Sequence, residues 1–198
     1  MAKVKRLKEI ARITGVVFHH DDPKFIWPYV PRAASRCLTH TFESMGLKLE
    51  RLDELPDINI DDYFIWSFVR SPYTKVISAM SYFQVTWDQF IKKNHLYITE
   101  GLQEEPGRVG KHMIPSTFFT HIDGVPFIEF IGYYETLDDD WARLLKKLGL
   151  PYTPLVINKW STKKILSRVK LDSRAVGAIQ DMYLEDFMLL GYGYDPTI

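Results

Sequence analysis

Short apolar runs rich in aromatic and β-branched residues alternate along this chain with stretches whose apolar residues recur every three or four positions. The runs at 25–30, 63–69 and 127–133 are short enough to be buried strands. Leu38, Phe42 and Met45 follow the first; Val76, Ile77, Met80 and Phe83 follow the second; Trp141, Leu144, Leu145 and Leu148 follow the third, each set on one helical face. Strand then helix, repeated, predicts an α/β fold: a mainly parallel central sheet flanked by helices. A last helix is expected from about Asp172, a residue type that caps helices, with Val176, Ile179, Tyr183, Phe187 and Leu190 on one face and Gly191 ending it. In such folds ligands sit beyond the carboxyl ends of the strands.

The 198 residues, 46% hydrophobic and 14% aromatic, are enough for one substantial core, so a single domain is expected over 1–198, with 1–23 as an N-terminal extension. Twenty-five basic residues balance 25 acidic ones. No global field then favours nucleic acid or a membrane surface, and any anion site must be local. Cys37 is the sole cysteine, which excludes an intramolecular disulfide framework, a Cys-rich zinc site and a CxxC redox pair, and suits a reducing, cytoplasmic setting. Charges interrupt the apolar residues of the first 18 positions, so no signal peptide or membrane span is expected there; a short amphipathic helix is. No metal is expected either, because the adjacent His19 and His20 would seldom face one ion and no carboxylate spacing supports them.

Candidate chemistry begins after the first strand, at Pro31-Arg32-Ala33-Ala34-Ser35-Arg36-Cys37-Leu38. A loop turning into a helix N-terminus aims several amides and the positive end of the helix dipole at one spot. Small side chains admit an anion to that backbone, Ser35 adds a hydroxyl, and Arg32 and Arg36 offer forked hydrogen bonds. A surface turn with two solvated arginines fits the same residues, and composition does not choose between the two. GxxxxGK[ST] is absent, which counts against an ordinary ATPase or GTPase.

A second anion element follows the strand at 63–69: Arg70-Ser71-Pro72-Tyr73-Thr74-Lys75-Val76-Ile77-Ser78, with proline at the expected helix start. Arg70, closing a buried strand, needs an anionic partner, and Ser78 faces back toward it from the second turn. Lys75 reads as a solvated helix cation.

Phe68-Val69-Arg70-Ser71-Pro72-Tyr73, with Ser78 following, resembles the 3'-phosphate element, RDPxxRxxS, of sulfotransferases that use 3'-phosphoadenosine 5'-phosphosulfate (PAPS). Pro31 to Leu38 resembles that family's 5'-phosphosulfate loop, PKxAST in its carbohydrate, Golgi-type branch. His112-Met113-Ile114-Pro115 is similar to the HxxP segment of the branch. Phe130-Ile131-Gly132-Tyr133-Tyr134-Glu135-Thr136-Leu137 is similar to FIGxYExL, and Asp186-Phe187 through Tyr192 to DFxxxGY; Asn158 and Ser161 fall where NxS is common. Arg32 replaces the family lysine, Ser71 the aspartate and Arg36 the threonine of AST. The resemblance implies a P-loop-like sulfotransferase fold, PAPS as donor, adenosine 3',5'-bisphosphate as product and an acceptor hydroxyl on a carbohydrate or metabolite. Donor-binding residues would be Arg32, Ala33, Ala34, Ser35, Arg36, Cys37, Arg70 and Ser78. A nucleotide-binding module without transfer activity, and a nucleotide-dependent kinase, are the competing readings.

Sulfuryl transfer needs charge stabilisation and a base. Arg32 would serve electrostatically, since arginine does not give up its proton. Histidine suits the base, with an unperturbed pKa of about 6.5. Of His19, His20, His40, His95, His112 and His121, the choice is His112, in the HxxP-like segment; a structural histidine bonding a loop backbone is its alternative. Tyr82, Phe83, Trp87, Tyr97 and Trp160 could form stacking surfaces for adenine or a sugar ring; Tyr82 and Phe83, at helical spacing, read rather as core, and Trp87 and Trp160 are open. Glu135 is expected to tie its turn to neighbouring amides.

Overall fold

In the computed structural model, which describes residues 1–51, 59–101, 109–156, 171 and 173–196 and only the backbone of 94, 95 and 97–101, the three apolar runs become neighbouring strands. They are β2 (Lys24–Pro28), β4 (Phe64–Val69) and β7 (Phe130–Tyr133). β2 pairs with β4 in parallel, Phe25 opposite Phe64, and β4 with β7 in parallel, Trp66 opposite Phe130. Two further strands, β1 (Val17–Asp21) and β3 (Glu50–Arg51), give the order β3-β1-β2-β4-β7 among the described residues, while β5 (His121–Ile122) and β6 (Val125–Pro126) form a separate antiparallel pair. Both of their pairings, β1 with β2 and β1 with β3, are antiparallel. The sheet is therefore mixed, where a mainly parallel one was expected. The hairpin escaped notice because His19, His20 and Asp21 dilute the apolar signal of 17–21, and the turn at Asp22 and Pro23 returns the chain at once into β2.

Helices α2 (Ser35–Ser44), α3 (Pro72–Phe83) and α7 (Leu137–Lys147) follow the three parallel strands, as their periodicity predicted. The principal core gathers Phe25 and Trp27 of β2, Trp66 of β4, Phe42 of α2 and Trp141 of α7. Trp27 stacks on Trp66 at 4.8 Å and Phe42 meets Trp141 edge-on at 5.1 Å, geometry that adds to burial alone. The first 23 residues belong to this body: α1 (Ala2–Thr14) buries Leu7, Ile10 and Ile13 in the same core.

A second cluster lies among α3, α4 (Trp87–Gly101), α5 (Gly110–Met113), α8 (Ser173–Met182) and α9 (Leu184–Leu189). The last two replace the single helix expected over 172–190. They part at Tyr183, whose buried hydroxyl donates to the Met113 carbonyl at 2.7 Å. Asp172 lies outside the described residues, as do Asn158, Trp160, Ser161 and the side chains of His95 and Tyr97. No helix among the described residues is long and apolar enough to cross a membrane.

Gly132 of β7 lies against the side chain of Phe68 on β4. A Cβ there would stand 2.5 Å from Cε1 of Phe68, inside van der Waals contact. Gly132→Ala is expected to lower unfolding free energy by about 1–3 kcal/mol through overpacking, read as an earlier urea midpoint. An unchanged midpoint would mean that Phe68 yields freely.

Because β2, β4 and β7 are adjacent and parallel, the segments leaving their carboxyl ends emerge side by side on one edge. Those segments hold Pro31–Ala34, Arg70–Ser71 and Tyr134–Glu135. Ser67 reinforces the junction by donating to the Pro28 carbonyl at 2.7 Å.

Candidate active site

The loop from β2 to α2 is bent by two residues in the left-handed region, Arg32 at φ 69° and Ala34 at φ 62°, neither of them glycine. Such residues cost free energy unless the surroundings enforce them, and alternation of this kind turns successive amides toward one concave side. The first intrahelical bond of α2 runs from the Leu38 amide to the Ala34 carbonyl at 3.1 Å, leaving the amides of Ser35, Arg36 and Cys37 without helical acceptors. No side chain caps that end. Ser35, expected as a hydroxyl donor to an anion, instead donates to the Val30 carbonyl at 2.7 Å and is buried. What it retains for an anion is its amide. Ala33 is buried and Arg36 exposed; Cys37 is half-buried, and burial pushes its thiol up, away from reactivity.

The two arginine-bearing segments meet. The Arg32 guanidinium donates through Nε and Nη2 to the Ser78 hydroxyl at 3.1 and 2.8 Å, and through Nη2 to the Ser78 carbonyl at 3.1 Å. Arg70, in return, donates through Nη1 to the Arg32 carbonyl at 3.3 Å and through Nε to Thr74 Oγ1 at 2.8 Å. Arg70 is only 2% exposed, and its Nη2 has no hydrogen-bond partner. Its guanidinium lies 4.1 Å from the centre of the Tyr134 ring. Desolvation is the main influence on both arginines and lowers each pKa. Each nonetheless stays charged at neutral pH, because arginine starts from so high a value. A buried cation with neutral partners and an orphaned N–H has donor capacity left for one further acceptor.

Glu135 frames the pocket rather than entering it. It accepts the Ser71 amide at 2.9 Å through Oε1 and the Tyr192 hydroxyl at 3.2 Å through Oε2, a tie to neighbouring groups as the sequence suggested. Burial first, then the charge of Glu135 and that bond, raise the Tyr192 pKa.

His112 lies on α5, its ring edge-on to Phe83 at 4.9 Å and 6.3 Å from Tyr82. Tyr82 is 48% exposed, not the core residue its helical spacing suggested; it closes the last turn of α3, past the point where the second cluster covers that helix. The Arg32 guanidinium sits 4.8 Å from its ring centre. Arg32, Tyr82 and His112 thus form a continuous row. Tyr82 and Tyr134 each lie beneath an arginine. Sequence reasoning weighed Tyr82 as a stacking surface but preferred core, and Tyr134 it passed over, though its place in the FIGxYExL-like stretch was the available signal.

Lys75, expected to be a solvated cation, is wholly buried. It lies on the inward face of α3 and donates to the Ile114 carbonyl at 2.5 Å and Ser116 Oγ at 3.1 Å. Desolvation draws its pKa down to about 8, opposed by the charge of Asp186. Its helical position marked a cation; the loop that folds over it was invisible in the periodicity. Trp87 packs edge-on against Phe90 at 5.9 Å. His40 is exposed beside Glu43, and His19 lies between Asp21 and Glu50 at 3.7 Å from each, on the β1 side of the sheet.

Comparison with known proteins bears on this geometry. Residues 15–193 match the profile of the sulfotransferase family. An uncharacterized protein of Archaeoglobus fulgidus is 29% identical over 98 residues, covering 46% of this chain and 72% of that one. Carbohydrate sulfotransferase 14 of Danio rerio is 22% identical over 229 aligned residues, covering 90% of this chain and 62% of the fish protein, so the chain spans under two thirds of that relative. No solved structure matches.

Proposed function

The chain belongs to the sulfotransferase family, and from that premise we propose that it moves the sulfuryl group of PAPS onto an acceptor hydroxyl of a carbohydrate. The observation that carries the donor is Arg70: a desolvated guanidinium with neutral partners and one orphaned N–H, bonded to the backbone of the loop whose own arginine reaches back to Ser78. Two cationic grips on one edge of a sheet suit a nucleotide bearing anionic groups at both ends of its ribose. Arg70 and Ser78 would hold the 3'-phosphate, and the amides of 33–37 with Arg32 the 5' end. The donor would supply the activated sulfuryl group and a bisphosphate that leaves with the bonding electron pair. Arg32 offsets the charge that gathers on the oxygens between phosphate and sulfur, and keeps its own proton throughout. His112 takes the proton of the acceptor hydroxyl as its oxygen bonds to sulfur. Tyr82, exposed between them, offers a face on which a sugar ring can lie. The carbohydrate rests on the name of the fish relative and on the HxxP-like and FIGxYExL-like segments.

Titration with adenosine 3',5'-bisphosphate tests the donor site. A ligand that binds only the folded state raises apparent stability by RT ln(1 + [L]/Kd), about 2.7 kcal/mol at a hundredfold excess over Kd. A saturable rise in melting temperature is expected, together with transfer of 35S from labelled PAPS to one class in a panel of oligosaccharides. The rise without transfer to any acceptor would mark a binding module, and magnesium-dependent ATP hydrolysis would mark a kinase.

A further inference from the structure

We propose that Lys75 and Asp186 are positioning residues that hold the segment carrying His112 in register with the arginine loop. The inference rests on the reading of His112 as the base.

The five residues after His112 are gripped by three side chains from other elements. Tyr183 Oη donates to the Met113 carbonyl at 2.7 Å, and Lys75 Nζ to the Ile114 carbonyl at 2.5 Å and Ser116 Oγ at 3.1 Å. The Asp186 carboxylate accepts the Ser116 amide at 2.7 Å and the Thr117 amide and hydroxyl, each at 2.8 Å. It thereby caps α6 (Thr117–Thr120). Lys75 and Asp186 are each 0% exposed.

Sealing two opposite charges away from water is an expensive way to fill space. Apolar residues of like volume stabilise such places as well or better, so what the charges contribute is direction. Neither can touch substrate, since all their hydrogen bonds face inward; they act through the segment they hold. The register follows from α3. Ser78, three residues beyond Lys75 and so its neighbour on the helix surface, receives Arg32, and Phe83 at the end of the same helix supports the His112 ring. One rigid helix therefore fixes both the arginine loop and the base, the kind of support a reacting pair needs at sub-ångström precision. Asp186 closes the arrangement from α9. Lys75, Ile114–Ser116 and Asp186 are thus parts of a single clasp.

The test uses the full chain with Lys75→Met and Asp186→Asn, both close to isosteric and relieved of a desolvated charge. Leu144→Ala, a cavity in the other core, is the control for general loss of stability. In hydrogen exchange, the amides of Ser116 and Thr117 should exchange at least about tenfold faster in Asp186→Asn and in Lys75→Met, but not in Leu144→Ala. In 35S transfer, kcat should fall about 10- to 100-fold, as for outer-shell partners of reacting groups, while KM for PAPS and the affinity for adenosine 3',5'-bisphosphate hold. Unchanged exchange at those two amides, or loss of bisphosphate binding in step with kcat, would overturn the inference. His112→Ala alongside separates this inference from the reading beneath it. Full turnover there ends the base assignment, whereas an inactive His112→Ala beside a fully active Lys75→Met ends the positioning role alone.

Discussion

Arg70→Ala is expected to weaken binding of adenosine 3',5'-bisphosphate a hundredfold to a thousandfold, and so to erase most of the thermal shift that the wild-type chain gives. Removing one partner of a desolvated charge pair costs about 3–5 kcal/mol, and each 1.4 kcal/mol is tenfold in Kd. Arg70→Lys should recover only part of this, because the guanidinium donates to Thr74 Oγ1 and the Arg32 carbonyl while its Nη2 stays unpaired, a fork that one ammonium cannot reproduce. In the unliganded protein the sign should reverse. There the same cation is buried against neutral partners and the Tyr134 ring, with desolvation its largest influence. Arg70→Met, which keeps the volume and drops the charge, should melt no earlier than the wild type without ligand, yet show almost no shift with it. A group that weakens the empty protein and strengthens the loaded one is there for its ligand. Should Arg70→Met instead melt well below the wild type and still bind the bisphosphate at full strength, Arg70 would be a structural residue and the proposed donor site would fail.

How much of this could be read from the chain follows from which physical signals are local. β2, β4 and β7 were legible because strands covered on both faces are continuous apolar runs, and α2, α3 and α7 because their buried faces repeat at helical spacing. The strand-loop-helix placement of the two arginine-bearing segments was legible for a related reason: each stands where an apolar run ends and a helix start follows. β1 was hidden by its two histidines. The break at Tyr183 was hidden because the apolar face of 176–190 continues across it in sequence, while the bond from Tyr183 to Met113 spans 70 positions. Lys75 and Ser35 were misread for a common cause. A lysine amid a helix and a serine beside small residues look solvent-facing, and only tertiary placement reveals that one grips the loop over Ile114 and the other the carbonyl of Val30. Tyr82 went the other way: its spacing said core, but its helix outruns the cluster that covers it.

His112→Ala should lower kcat for transfer by roughly 10²–10⁴-fold, the usual contribution of a positioned acid or base, and leave the bisphosphate-induced thermal shift at its wild-type size. The second half follows from the separation of contacts. The hydrogen bonds of Arg32 and Arg70 run to Ser78, Thr74 and the loop backbone, none of them to His112, whose ring rests on Phe83 and Tyr82. The first half follows from the lack of a substitute among the histidines whose side chains are described. Arg32 holds its proton too tightly to exchange it during turnover. His40 is exposed on α2; His19 faces Asp21 and Glu50 across the far edge of the sheet; and His121 has its Nδ1 against Thr120 Oγ1 at 2.8 Å, with burial lowering its pKa. Among the histidines whose side chains are described, His112 is the one joined through Tyr82 to the arginine that would face the sulfuryl group. A small imidazole added to the alanine variant should restore part of the rate, since the space vacated beside Phe83 is of its shape and the missing function is a proton acceptor of the same chemistry. Turnover at the wild-type rate without imidazole would move the base elsewhere, and loss of the thermal shift would recast His112 as a support of the donor pocket.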